Sequence, residues 1–341
     1  MAKLIKVDSV GHFDPKKSSR HAIYSIDFQP FGGRLATAGG DCTVKLWNTE
    51  AIMSQQSKES VSDSLLATLS SHSKSVNVVK WSPDSRFLAS GSDDCLIIIY
   101  RYTPDAISSQ TFGCSAARNK ETWSRCFTLQ GHIMDVLDIC WSPRGILASA
   151  SIDNKIMIWD MRRQMASMGV SGAHSSPLIS PTRILDGHKS FVKGVSFDPI
   201  GTYLASSGGD NLVILWDCDS WSILHRVDGP FKDSPDRTMF RRLSWAPDGS
   251  SLCISAATKS SKPVGMVLKR ESWISVADLV GHNEPSLCCK FCPYVLCPYV
   301  PYVENMKGGD IPAKKKLKES GGGLVVFIIF FTYIVCSCNQ F

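Results

Sequence analysis

The 341-residue sequence predicts an all-β fold, a β-propeller assembled from recurring four-stranded blades. Three observations predict it. First, one unit recurs along the chain: an apolar stretch ends in Trp or Phe with Pro two residues on, a run of small residues and an Asp follow, and an alternating stretch closes in an aromatic. Second, the anchoring aromatics Phe28, Trp81, Trp141, Phe197, Trp245 and Phe291 stand 53, 60, 56, 48 and 46 residues apart, which is the period of propeller blades joined by long loops. Third, β-branched and aromatic residues alternate over short runs bounded by Gly, Pro, Asp and Ser, the pattern of strands separated by turns.

The elements follow in order. The first copy reads HAIYSIDFQPFGGRLATAGGDCTVKLWN from His21, and the second HSKSVNVVKWSPDSRFLASGSDDCLIIIY from His72. In the second, 76–81, 87–92 and 96–100 are the first three strands, and 125–129 supplies the outer strand beyond a loop. The third copy, GHIMDVLDICWSPRGILASASIDNKIMIWD, and the fourth, GHKSFVKGVSFDPIGTYLASSGGDNLVILWD, are nearly superimposable. The fifth is degenerate, with FRRLSWAPDGSSLCISAA from Phe240 but no matching Asp, and the sixth begins at Gly281-His282 and stops after Pro293. Five blades and the start of a sixth predict an incomplete ring over residues 1–293; in a closed ring a strand near 3–7 would complete the last blade and remove its open edge. The Gly-His dipeptides and terminal Trp-Asp pairs resemble the WD40 family from about residue 20 to residue 293.

The rest of the chain does not fit a blade. Residues 294–323 read as an irregular basic linker carrying KKKLK, either a short import signal or a solvated stretch. Residues 324–341 form a short apolar tail whose run LVVFIIFFTYIV falls short of the roughly 20 residues that span a bilayer, so no membrane association is expected. The inter-blade segments SQQSKESVSDS and SMGVSGAHSSPLISPT read as polar surface loops.

Charge and cysteine content narrow the function. A formal net charge of +6 is far from the basic footprint of a protein that grips nucleic-acid phosphates, so direct nucleic-acid binding is not expected. Thirteen scattered cysteines, an odd number in a chain this long, read as free thiols of a reducing compartment and not as a disulfide framework. The N-terminus lacks the apolar core of a signal peptide.

His132, Ser149 and Asp153 are the residue types of a hydrolase triad. The repeat argues against catalysis, because the same set recurs as His21/Thr37/Asp41/Trp47, His72/Ser90/Asp94/Tyr100, His132/Ser149/Asp153/Trp159 and His188/Ser206/Asp210/Trp216. An enzyme needs one such site. Resemblance to the WD40 family implies a buried hydrogen-bond chain in each blade, with Asp orienting His and Trp donating to the hydroxyl; Tyr100 weakens the second. Cys288, Cys289, Cys292 and Cys297 with His282 include a C-x-x-C, but the first three align with strand positions of blade four, so no metal site is expected. No cofactor or small-molecule substrate is expected either.

Four stretches resemble the HIRA family of histone-chaperone propeller subunits: IYSIDFQPFGGRLATAGGD, TFGCSAARNKETWSRCFTLQGH, SWSILHRVDGPF with MFRRLSWAPDG, and LKRESWISVADLVGHN. The smaller propeller subunit of chromatin assembly factor is similar in FRRLSWAPDG and VLDICW. The resemblance implies a non-catalytic nuclear scaffold for replication-independent histone deposition and transcriptional repression, its chromatin association indirect; the alternatives are a subunit of the replication-coupled chromatin assembly factor or a general WD40 adaptor such as a ubiquitin-ligase substrate receptor. The partners it implies are a ubinuclein-type subunit and, through the complex, core histones. Arg241 and Arg242, adjacent charges before a strand otherwise built for burial, are the expected partner-facing residues.

Overall fold

A computed structural model describes residues 10–14, 19–54, 64–104, 119–167, 177–231, 238–281 and 283–291. The segment near 3–7, the basic linker and the apolar tail lie outside the described residues. Among the described residues, apart from two short helices, α1 (Thr49–Ser54) and α2 (Arg162–Ser167), and the 3-10 turn Gly229–Phe231, the regular structure is all strand.

A short ribbon comes first, β1 (His12–Asp14) antiparallel to β2 (Ser19–His21). Five antiparallel sheets follow. The first blade is β3 (Ile23–Phe28), β4 (Arg34–Gly39), β5 (Val44–Asn48) and β6 (Leu65–Leu69). The second is β7 (Val76–Trp81), β8 (Phe87–Ser92), β9 (Leu96–Tyr102) and β10 (Trp123–Gln130). The third is β11 (Val136–Trp141), β12 (Ile146–Ser151), β13 (Lys155–Asp160) and β15 (Arg183–Asp186). The intervening strand β14 (Leu178–Ile179) does not belong to that blade. It turns back and pairs in parallel with β10, Thr128 opposite Leu178, so part of the segment expected to be a free loop is tied to blade two. The fourth blade is β16 (Val192–Phe197), β17 (Tyr203–Gly208), β18 (Val213–Asp217) and β19 (Ile223–Val227).

The degenerate fifth copy also completes a four-stranded blade: β20 (Ser244–Trp245), β21 (Ser251–Lys259), β22 (Lys262–Lys269) and β23 (Ser275–Leu279). Where the other blades place an Asp turn, Ser260 and Ser261 join β21 to β22 with φ of 51° and 61°. Positive φ at both central residues is the two-residue turn that matches strand twist, so the hairpin closes without the missing Asp.

The blades share local detail that a repeat imposes. The first strands of blades one to four each carry a register shift near the start, at Ile23/Ser25, Val76/Val78, Val136/Asp138 and Val192/Gly194. Such bulges bend the strand and sharpen its twist. At Gly194 a Cβ would lie 2.1 Å from the Arg241 carbonyl, so the residue is glycine because the chain entering blade five passes directly against β16.

The core lies between neighbouring blades. Leu46 and Ala67 of blade one pack with Val79, Leu88 and Ile98 of blade two, and Phe87 and Ile99 of blade two with Ile139 and Trp159 of blade three. Blade three meets blade four through Ile158, Leu185, Phe197 and Trp216, and blade four meets blade five through Leu215, Phe231, Trp245 and Leu252. Each sheet buries its faces only against its neighbours, the economy of a repeat protein. Trp141 Nε1 donates to the Lys80 carbonyl at 3.3 Å and Trp245 Nε1 to the Ser196 carbonyl at 3.1 Å, so two of the anchoring tryptophans tie blade three to blade two and blade five to blade four.

Among the described residues the sheets are not closed into a ring. Between blades five and one lies residues 283–291, which bridge Arg242 to Cys288 in parallel, donate Phe291 N to Ser244 Oγ at 3.1 Å and place Lys290 Nζ 3.3 Å from Asp27.

Candidate functional site

In blades two to four the polar sets run from a His before the first strand, through a Ser on the second strand and an Asp in the turn after it, to the aromatic on the third strand. In blade three, His132 Nδ1 lies 2.8 Å from Asp153 and Nε2 2.7 Å from Ser149 Oγ, while Trp159 Nε1 donates to the same hydroxyl at 3.0 Å. A carboxylate only accepts, so Nδ1 carries the proton; the hydroxyl oxygen accepts a hydrogen bond from the indole N–H and its own O–H donates to Nε2. Blade four repeats this with His188, Asp210 at 3.0 Å, Ser206 at 2.8 Å and Trp216 at 2.9 Å. Burial would raise the Asp153 and Asp210 carboxyls, but the histidine and backbone N–H donors outweigh it and hold both below the ordinary carboxylate range.

In blade two, His72 reaches Asp94 at 2.9 Å and Ser90 at 2.7 Å. Tyr100 stands in the indole position, 1% exposed, and its hydroxyl makes no hydrogen bond of normal geometry. Burial pushes that phenol up, with Ser71 and Ser90 near enough to oppose the rise.

Blade one corrects the sequence reading. The imidazole facing Asp41 and Thr37 is that of His12, with Nδ1 2.6 Å from Asp41 and Nε2 2.9 Å from Thr37 Oγ1, and Trp47 donating to Thr37 at 2.9 Å. His21 lies on the partner strand of the ribbon, opposite His12. The reason is an insertion: the β1–β2 ribbon separates the histidine from the strand it serves, so counting back from Phe28 lands on the wrong residue. The Gly11-His12 dipeptide, matching Gly131-His132 and Gly187-His188, is the signal that identifies it. A Cβ at Gly39 would stand 2.8 Å from His12 Nδ1, so this position is kept bare to seat the ring. Burial lowers the His12 pKa despite Asp41; burial would raise Asp41, but His12, Thr43 and Lys45 hold it well below its ordinary value.

The arginine pair is also corrected. Arg241 is fully buried, donates Nη1 to the Gly208 carbonyl at 3.1 Å and stacks 4.3 Å over the Phe231 ring. Arg242 points inward. Its guanidinium donates to the carbonyls of Tyr24 at 2.6 Å, Asn77 at 2.7 Å and Leu137 at 3.5 Å, on the first strands of blades one, two and three. It stacks 4.6 Å over Phe240 and lies 3.4 Å from Asp138. Two charged residues become interior because the carbonyl ends of several inner strands converge there and need donors.

A further tie joins blades one and two. Arg34 makes a bidentate contact with Glu121 at 2.8 and 2.9 Å, Trp123 Nε1 donates to Glu121 at 2.9 Å, and the guanidinium lies 5.1 Å from the Tyr102 ring. Asn119, Lys120 and Glu121 bond along the outer side of β6 through Thr68 and Leu66. Residues 105–118, which include most of the TFGCSAARNK insertion, lie outside the described residues.

The described cysteines are all free thiols. Burial pushes Cys126 up to about 11 and Cys218 up to about 12, and Cys289 is driven up by its contact with Cys253 as well as by burial. These are packed hydrophobes in an unreactive state. Of the C-x-x-C reading, His282, Cys292 and Cys297 lie outside the described residues.

With this geometry in hand, known proteins can be set beside it. The family model of the CAF1B/HIR1 beta-propeller domain matches residues 16–235. Protein HIR1 of Cryptococcus neoformans is 39% identical over 298 residues, covering 87% of this chain and 32% of that protein. Protein HIR1 of Mycosarcoma maydis is 38% identical over 286 residues, 83% of this chain and 26% of its own. Protein hir1 of Schizosaccharomyces pombe is 34% identical over 297 residues, 85% and 30% respectively. The chain thus spans between a quarter and a third of the length of these relatives. A chain in the crystal structure of the mitotic checkpoint complex shares the fold, with a TM-score of 0.58 at 20% identity, over 82% of this chain and 74% of that one. Blades one to four lie within the residues that the family model matches, and the chain belongs to the HIR family of WD40 proteins, those that carry the CAF1B/HIR1 beta-propeller domain.

Proposed function

We propose that the chain is a non-catalytic scaffold of a histone-chaperone complex, acting in the nucleus in replication-independent nucleosome assembly and transcriptional repression. The observation that carries the reading is the match of the CAF1B/HIR1 beta-propeller domain over residues 16–235, together with HIR1 relatives over more than four fifths of the chain. The geometry supports a scaffold: the His–Ser/Thr–Asp sets recur blade after blade, buried and internally satisfied, with no single set arranged for chemistry. Function then rests on protein contacts, with a ubinuclein-type subunit as direct partner and core histones reached through the complex.

The same domain description also names CAF1B, which favours one second reading, a subunit of the replication-coupled chromatin assembly factor. Affinity purification of the tagged full chain from nuclear extract, with mass spectrometry of its partners, separates the two. A ubinuclein-type subunit with histones supports the first reading. Recovery that depends on the replication clamp selects the second, and a cullin-type adaptor without histones overturns both.

A further inference from the structure

The axis of the molecule is closed further than its rim. Arg242 reaches the Tyr24 carbonyl and Lys290 Nζ stands 3.3 Å from Asp27, so the segment 283–291 already meets blade one beside the inner strands. Farther out, among the described residues, no sheet stands between blade five and blade one, and both walls of the wedge are short of cover. Blades four and five gather thirteen buried apolar residues into one cluster. The far face of blade five gathers five, Ala246, Cys253 and Val267 with Cys289 and Phe291 of the segment, and the opposing face of blade one only three, Leu35, Trp47 and Ile52.

Phe28 concentrates the deficit in one side chain. At the anchoring position Trp141 and Trp245 bond to the blade before, and Trp81, Phe197, Trp245 and Phe291 are each 8% exposed or less; Phe28, with no blade before it, is 58% exposed. Fraying does not account for this. Asp27 accepts from Trp81 N at 2.9 Å and Gln29 Nε2 donates to the Ser85 carbonyl at 2.9 Å, so the residues on both sides of Phe28 are fastened to blade two. An aromatic held rigidly on an uncovered apolar wall is a docking surface, and the uncharged side chains Phe28, Leu35 and Trp47 fit an apolar occupant.

The chain itself carries such an occupant. Phe291, bonded through its N–H to Ser244, sits at the wedge, and the sequence continues from there through residues 292–341, outside the described residues. Within it the run LVVFIIFFTYIV, 324–335, holds no charged residue. It falls short of the roughly 20 residues that span a bilayer, and left bare in water such a run drives aggregation, so it needs an apolar surface to cover it. The connecting residues 292–323 can extend over on the order of 100 Å, well beyond the radius of gyration of a domain this size, about 19 Å. A tethered segment acts at an effective concentration on the order of millimolar, so the chain's own run outcompetes that of a second copy at micromolar protein. We propose that residues 324–335 dock in the wedge between blade five and blade one, over Phe28 and the face that carries Leu35 and Trp47. The proposal is independent of the chromatin reading.

The test is photo-crosslinking in the full chain, with p-benzoylphenylalanine placed at position 28 and, as a control, at position 200, where Ile200 is equally exposed on a turn of blade four. Irradiation at position 28 is expected to join it to a peptide within 324–335 in a product that migrates as a monomer, and position 200 is expected to give none. Phe330→Lys with Phe331→Lys is expected to lower the yield at position 28 at least about tenfold, because two buried aromatics become charged. A covalent dimer at position 28 assigns the wedge to a second copy and overturns the proposal. So does a crosslink to any other segment, an equal yield from position 200, a yield unchanged by the two lysines, or no crosslink while the chain floats with phosphatidylcholine vesicles or stays free of them. Circular dichroism checks each variant; should the lysine variant not fold, the crosslinks at positions 28 and 200 decide alone.

Discussion

Arg242 Nη1 donates to the carbonyl of Tyr24 at 2.6 Å across 218 residues of chain. With Asn77 and Leu137 as further acceptors, this one side chain from the edge of blade five holds the first strands of three other blades. Removing it strands buried carbonyls and leaves Asp138 without its cation. Arg242→Ala is expected to cost about 3–5 kcal/mol, as for other buried ion pairs broken on one side. Arg242→Lys is expected to recover less than half of that, because an ammonium lacks the planar fork that reaches three carbonyls. Urea unfolding of both variants beside the parent checks this; an Arg242→Ala midpoint equal to the parent's refutes it.

The hydroxyl at the centre of each blade network carries a different load in blades two and three. Ser149→Ala orphans both His132 Nε2 and the Trp159 indole, whereas Ser90→Ala orphans only His72 Nε2, since Tyr100 makes no normal bond there. At about 1–3 kcal/mol per buried orphan, Ser149→Ala is expected to be the more destabilising of the two. Thermal melts of the two single variants rank them.

The residue after the network Asp is left-handed in four blades: Cys42 at φ 64°, Cys95 at 68°, Asn154 at 67° and Asn211 at 61°. Asparagine tolerates this conformation and cysteine does not favour it. Cys42→Asn and Cys95→Asn are each expected to stabilise the protein by roughly 0.5–1 kcal/mol, with additive gains in the double variant because the sites lie on separate turns. A shift of the melting midpoint upward in each variant is the readout.

Acid acts on blade one from two directions. His12 is buried with its pKa lowered, so the unfolded chain takes up a proton that the folded chain refuses; stability falls as pH drops below the ordinary histidine value of 6.5. Asp41 is held below its ordinary value, so its contribution is intact above 3.8 and is lost only as pH falls beneath that. Unfolding free energies between pH 7.5 and 5 are expected to decline in the parent and to decline less steeply in His12→Gln. Equal slopes refute the assignment.

Blades two to four were legible because their information is local. The stretch 76–81, 87–92 and 96–100 alternates apolar and small residues between turn formers, and the strands fall at Val76–Trp81, Phe87–Ser92 and Leu96–Tyr102. The network of blade one was legible in three of its four members, and the fourth was displaced because a ribbon inserted between His12 and β3 broke the spacing. The arginine pair was misjudged for another reason. Adjacent charges look exposed in a sequence, and only the parallel approach of the inner strands, which bonds Arg241 N to the Lys193 carbonyl at 3.2 Å and Arg242 N to the Leu287 carbonyl at 3.1 Å, shows them to be interior. Strand β14 escaped notice because two residues carry no periodicity, and its pairing is fixed by where the loop returns.

That returning strand decides which edges a partner can reach. The outer strand of each sheet presents unpaired N–H and C=O groups that invite β-augmentation by a foreign segment. Blade two offers no such row where β14 already occupies β10, and blade one is likewise taken where Asn119, Lys120 and Glu121 bond to β6. These two segments, one of them expected to be a polar surface loop, therefore act as the protein's own edge strands. A peptide that binds by strand addition is steered toward β15, β19 and β23, whose outer sides carry no paired strand among the described residues.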